Sequence, residues 1–165
     1  MKYLVVLLLS LLCIGCQKEI GTAITQKHGN GTPKTEITFL GDSTHLVSQV
    51  KYYPSGQVFQ KIEYQESGIL PKSEEIFFEN GEVKQAGAYK NDHRVGTWKA
   101  YFPTGQLQSM RNYNEEGKEE GVYQVYLKDG DYYYLYIQGF YRNGEKKGNW
   151  NFYNRDGDII KTQGF

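Results

Sequence analysis

Cysteine is missing from the chain after position 16: Cys13 and Cys16 are the only two among 165 residues. No disulfide can cross-link the bulk of the protein, and a thiolate metal site is excluded there. Net charge is missing as well, with 19 basic residues against 19 acidic. The chain therefore lacks the electrostatic footprint of a nucleic-acid-binding protein. After residue 20 there is no amphipathic helical stretch and no glycine loop of the phosphate-binding kind. No cofactor is expected. What the chain has in quantity is tyrosine, at 15, and glycine, at 19, a balance that suits strands and tight turns better than helices.

The opening, MKYLVVLLLSLLCIGCQKEI, places a short basic region at Lys2 before an apolar run from Leu4 to Gly15. The run is too short to cross a bilayer core of about 30 Å as a helix. It has the length and flanks of a cleaved secretory signal. CIGC, with small Gly15 before Cys16, resembles the processing site of bacterial lipoproteins, although Cys13 stands where leucine is usual. The resemblance implies a signal peptide over residues 1–15 and a membrane anchor through acylated Cys16; an ordinary signal peptide cut further on is the other reading. Residues 16–35 are polar, with glycines and a proline, and read as a flexible tether. Gln17 is not the aspartate that holds enteric lipoproteins at the inner membrane, which points to the outer membrane, on its periplasmic side or at the cell surface.

The remainder, residues 36–165, is repetitive. Five glycines, Gly56, Gly81, Gly105, Gly130 and Gly157, recur at spacings of 25, 24, 25 and 27. Four residues before each stands an aromatic: Tyr52, Phe77, Tyr101, Tyr126 and Tyr153. Two after each stands Val58, Val83, Leu107, Tyr132 or Ile159, and an aromatic closes each unit at Tyr64, Tyr89, Tyr113, Phe140 or Phe165. The half-units are short, apolar at alternate positions and bounded by turn residues such as PSG, ENG and RDG. The expected fold is all-β: an elongated antiparallel meander of about five stacked hairpins, each too small to be stable alone.

These units resemble the MORN repeat variant family, whose members are often labelled YwqK-type antitoxins. The resemblance runs over residues 47–165 and is clearest from Gly96 onward, where GTW (96–98), GVY (121–123) and GNW (148–150) open the last three copies. It implies a scaffold for interaction and no chemistry of its own. An immunity or antitoxin-like role, neutralising a toxin by direct binding, is the alternative that the family label suggests.

Period two puts Trp98, Ala100 and Phe102 on one face, with Tyr123, Val125, Leu127, Trp150 and Phe152 as their equivalents. This is taken as the core side, supported by the residues two and eight after each glycine. The aromatics four before the glycine then form a ladder, Tyr52, Phe77, Tyr101, Tyr126 and Tyr153, on the opposite face among Lys99, Gln124 and Asn151. Two readings stand: a binding face for a glycan, peptide or protein, or rings that merely cover the second face.

Catalysis is not expected. GDST (41–44) resembles the first block of GDSL-type esterases, with Ser43 as nucleophile. The Asp-x-x-His such enzymes need near the C-terminus is absent, and Asp42 to His45 overlaps the serine itself. His28 and His93 have no second ligand at metal spacing, and no calcium-loop pattern is complete. The last strand would present an open edge, the kind that pairs with another chain.

Overall fold

The turns come first, because they repeat. In the computed structural model, which describes residues 19–41 and 45–165, the N–H of Gly56 donates to the carbonyl of Tyr53 at 2.9 Å, while Tyr53 N–H donates to Gln57 O at 2.8 Å. Phe78 and Gly81, Phe102 and Gly105, and Asn154 and Gly157 make the same two bonds. The four glycines have φ between 81° and 90°, a left-handed conformation that side chains resist. The two-residue loop Asn91–Asp92, with φ of 47° and 66°, closes a hairpin on the other side of the sheet with the twist that hairpins prefer.

The strands between these turns are β1 (Ile20–Lys27), β2 (Pro33–Leu40), β3 (His45–Tyr52), β4 (Val58–Tyr64), β5 (Pro71–Phe77), β6 (Val83–Lys90), β7 (His93–Tyr101), β8 (Leu107–Tyr113), β9 (Gly121–Asp129), β10 (Tyr132–Arg142), β11 (Glu145–Tyr153) and β12 (Ile159–Gly164). They form one 12-stranded sheet in chain order, every neighbour antiparallel. The expected all-β meander of stacked hairpins is therefore the fold observed.

It begins earlier than expected. Residues 20–27 and 33–40, assigned from the sequence largely to a flexible tether ending at 35, are β1 and β2 of the same sheet. Gly31 has φ of 87° and makes the recurrent turn with His28 and Thr32. Lys27 pairs with Pro33 where other units pair an aromatic with an apolar residue. Among the described residues the sheet holds six hairpins. Residues 1–18, with the signal and Cys16, and residues 42–44, with Ser43, lie outside the described residues.

A second correction concerns the faces. Tyr52 pairs with Val58, Phe77 with Val83, Tyr101 with Leu107 and Tyr153 with Ile159, each at a register shift. Directly paired residues share a face, so in these four units the residue two after the glycine sides with the ladder, not with the tryptophans; Tyr132, opposite Asp129, keeps the tryptophan-side position expected of it. The next residue is an extra one, and this bulge reverses the alternation. Of the closing aromatics Tyr89 and Phe165 return, contacting Trp98 and Trp150 at 5.1 and 5.8 Å between ring centroids, whereas Phe140, opposite Val122, is exposed on the ladder face and Tyr141 takes its place 5.1 Å from Trp150. Phe102 falls beyond β7, with its ring 5.2 Å from that of Tyr133, and Leu127 is exposed.

A single sheet has no second layer to bury its faces. Among the described residues only Trp98 and Trp150 are buried large apolar side chains, at 4% and 3% exposure. Their cover is cationic. The Arg94 guanidinium lies 4.1 Å from the Trp98 ring and the Lys146 ammonium 4.4 Å from the Trp150 ring. Arg111 covers Tyr123 and Lys161 covers Phe152 at 4.9 and 5.2 Å. The aliphatic stems shield the rings while the charges remain in water, which lets one layer stand without a partner sheet.

Candidate functional site

Between the two faces the contrast is chemical. The tryptophan face is largely packed by its own side chains, with a hollow of about 80 Å³ left among Arg94, Trp98, Arg111 and Tyr113. Tyr123, Tyr141 and Trp150 pack edge-on or tilted at 5.1 to 5.8 Å, beneath the cations just described. Tyr89 Oη donates to Glu74 Oε2 at 3.0 Å, and burial followed by that carboxylate raises the Tyr89 pKa above its ordinary value. Arg111 Nη1 is held by Glu119 at 2.8 Å.

The other face carries the ladder. Tyr52, Phe77, Tyr101, Tyr126 and Tyr153 are all half-buried. Four of them lie beside their Val, Leu or Ile partner near the turns, and Tyr126 pairs instead with Leu135 because β10 carries extra residues. They recur on every second strand, about 10 Å apart at the usual spacing between strands. Open hollows adjoin two of them. One, of about 290 Å³, is lined by Glu75, Glu82, Val83, Ala86, Tyr101 and Gly105. The other, of about 320 Å³, lies among Tyr133, Leu135, Tyr153 and Arg155. Tyr52 Oη donates to Glu36 Oε2 at 3.4 Å, and its pKa is raised first by burial and then by that carboxylate.

Inboard of the ladder a transverse row crosses the sheet, each member directly opposite the next. Its first half is charged: Glu36, Val50, Lys61, Glu75, Ala86 and Lys99. Lys61 donates to Glu63 at 2.9 Å and lowers the Glu63 pKa, chiefly through that bond. Its second half is uncharged: Met110, Gln124, Gln138, Asn151 and Thr162. Gln124 Nε2 donates to Gln138 Oε1 at 3.1 Å, and Thr162 Oγ1 donates to Asn151 Oδ1 at 2.9 Å. Sequence reading found three of these polar residues as neighbours of the ladder. It missed their continuity, which depends on bulges that no spacing rule predicts.

The turns along the ladder's margin are tied to one another. Asn30 Nδ2 donates to Pro54 O at 3.0 Å, and Asn80 Nδ2 to Pro103 O at 2.8 Å. His28 Nε2 bonds Tyr52 O at 2.9 Å, so this histidine links two turns. His93 begins β7 and is exposed. Among the described residues no three His, Cys, Asp or Glu side chains gather as metal ligands would.

The family described as MORN repeat variant matches residues 48–66 and 94–115, which are most of the β3–β4 hairpin and nearly all of the β7–β8 hairpin. A search of curated proteins gives no match. Among solved structures the chain is similar to one described as a GtfA/B complex bound to UDP and GlcNAc, at 10% identity and a TM-score of 0.26, over 93% of this chain and 25% of that chain. The chain thus spans about a quarter of that structure's length, and at such a score the likeness carries nothing about fold or ligand. Two hairpins match the MORN repeat variant model, and the recurrent turn is present in five of the six hairpins among the described residues; at Gly130 the strands close through the direct pair Asp129–Tyr132 instead.

Proposed function

We propose that this protein is a non-catalytic interaction module whose contact surface is the ladder face, held at the bacterial outer membrane by a lipid on Cys16. The observation that carries this reading is the asymmetry of the sheet. Hollows lie on both faces, but one face buries its two indoles under cations, whereas the other buries no ring and carries its aromatics half-exposed in a row about 10 Å apart. Half-exposed rings in a polar field recognise partners by stacking and by displacing poorly held water. The anchor rests on the apolar N-terminal run ending in Cys16.

The test is a pull-down from envelope extract with the full chain against a Tyr101→Ala/Tyr126→Ala variant. A partner held by the wild type and lost by a folded variant supports the reading. A partner held equally by both moves the contact surface away from the ladder. Capture of a toxin by the ladder would assign the immunity role that the repeat family's label suggests.

A further inference from the structure

The ladder face changes character halfway across, and that change bears on what it holds. From β8 to β12 the transverse row Met110, Gln124, Gln138, Asn151 and Thr162 contains no charged side chain, whereas from β2 to β7 it contains four. The uncharged half is a thioether, three amides and a hydroxyl.

The hydrogen bonds within this line are directional. Gln138 and Asn151, which stand directly opposite each other, both enter it as acceptors, from Gln124 and Thr162. Each amide has two N–H donors that these bonds do not use. Adjacent donors of this kind suit vicinal hydroxyl groups. Beside the line, Tyr126 and Tyr153 stand on the same face two strands apart, and an open hollow of about 320 Å³ adjoins Tyr153. The separation of about 10 Å is comparable to the length of two linked pyranose units.

We propose that the ladder face of β8–β12 binds an uncharged, extended glycan laid across the strands, with sugar rings on Tyr126 and Tyr153 and hydroxyls on Gln138 and Asn151. This rests on the reading of the ladder as the contact face. Along the row itself a desolvated carboxylate would find no cation opposite it, since Arg155 of the hollow is held by Asp129 at 2.9 Å and Lys128 lies over the Tyr133 ring, and this selects against acidic sugars. The amides would orient the chain, and the rings would supply the apolar contact that a flat sugar face needs.

The experiment is titration calorimetry of the full chain, kept in a sugar-free detergent, with cellohexaose, chitohexaose and an acidic hexagalacturonate. Expected is binding of at least one neutral hexasaccharide. It should weaken at least tenfold in Gln138→Ala/Asn151→Ala and in Tyr153→Ala, while the acidic one gives no heat. Gln138 and Asn151 are half-buried, so thermal melting of each variant checks the fold. Neutral binding unaffected by both variants would overturn the placement. Binding of hexagalacturonate lost in Tyr153→Ala would overturn the ligand class and keep the ladder as contact face. No binding of any of the three sugars would overturn the glycan inference alone, because the pull-down judges the ladder separately.

Discussion

The indole of Trp98 rests on the bare backbone of Gly87, so closely that a Cβ at that position would stand 2.2 Å from two ring atoms. Trp150 sits on Gly139 in the same way, at 2.3 Å. In both places the glycine is a seat for the largest side chain on the face, and its φ is unremarkable. Ring and bare strand replace the second layer that this sheet lacks.

Gly87→Ala should therefore destabilise the protein by overpacking, by about 1–3 kcal/mol in urea unfolding. Gly29→Ala is the control: its Cβ meets nothing within 4 Å and its φ is ordinary. That change should be neutral or slightly stabilising, because it restricts only the unfolded chain. Equal losses at the two positions would mean that the seat has no energetic role.

The cation cover has its own signature. Lys146→Ala should uncover Trp150, shift tryptophan emission to the red and cost about 0.5–1 kcal/mol. The two indoles also differ. Trp98 Nε1 donates to Ala88 O at 3.0 Å, whereas Trp150 Nε1 is buried with no partner. Trp98→Phe loses a hydrogen bond and Trp150→Phe loses none, so the first should be the more destabilising by about 1 kcal/mol. Paired denaturation curves of the two variants measure the difference.

Much of this architecture was legible in the sequence, because the turn glycines and the aromatics before them recur at nearly constant spacing. The copy at Gly31 escaped because Lys27 and Pro33 occupy its two diagnostic positions, although Phe39, eight after the glycine, was a readable trace of it. The face of Val58, Val83, Leu107 and Ile159 departs from the expected one because a bulge follows each, and bulges leave no period of their own. The seats were within reach: Gly87 and Gly139 each precede a tryptophan by eleven residues. The cation cover was not, since it joins side chains whose adjacency depends on register between strands.

Alkaline pH should destabilise the sheet. Burial is the leading cause that raises the pKa of Tyr52, Tyr64, Tyr89 and Tyr141 above their ordinary value of 10.0. A raised phenol favours the neutral folded form, so its contribution is intact below pH 10.0 and is lost as pH climbs through the raised values. The urea midpoint should hold level up to about pH 9 and fall beyond about pH 10. Tyr89→Phe should lower it at neutral pH, by losing the bond to Glu74, yet reduce the alkaline fall. A midpoint that is level across this range would exclude the buried phenols as a source of stability.

β12 is where the sheet should open first and where copies should meet. Among the described strands it has β11 on one side only, and all six of its residues are exposed, Ile159 at 55% and Ile160 at 61%. Unpaired N–H and C=O groups beside exposed isoleucines form a template for another strand. Its amides should exchange hydrogen sooner than those of β7 to β10, each paired on both sides. Sedimentation of the full chain should show self-association that rises with concentration, and Ile160→Lys should abolish it by placing a charge on the edge. A wild type that is monomeric throughout, with β12 amides as slow as those of β8, would show that this edge is closed by contacts other than self-pairing.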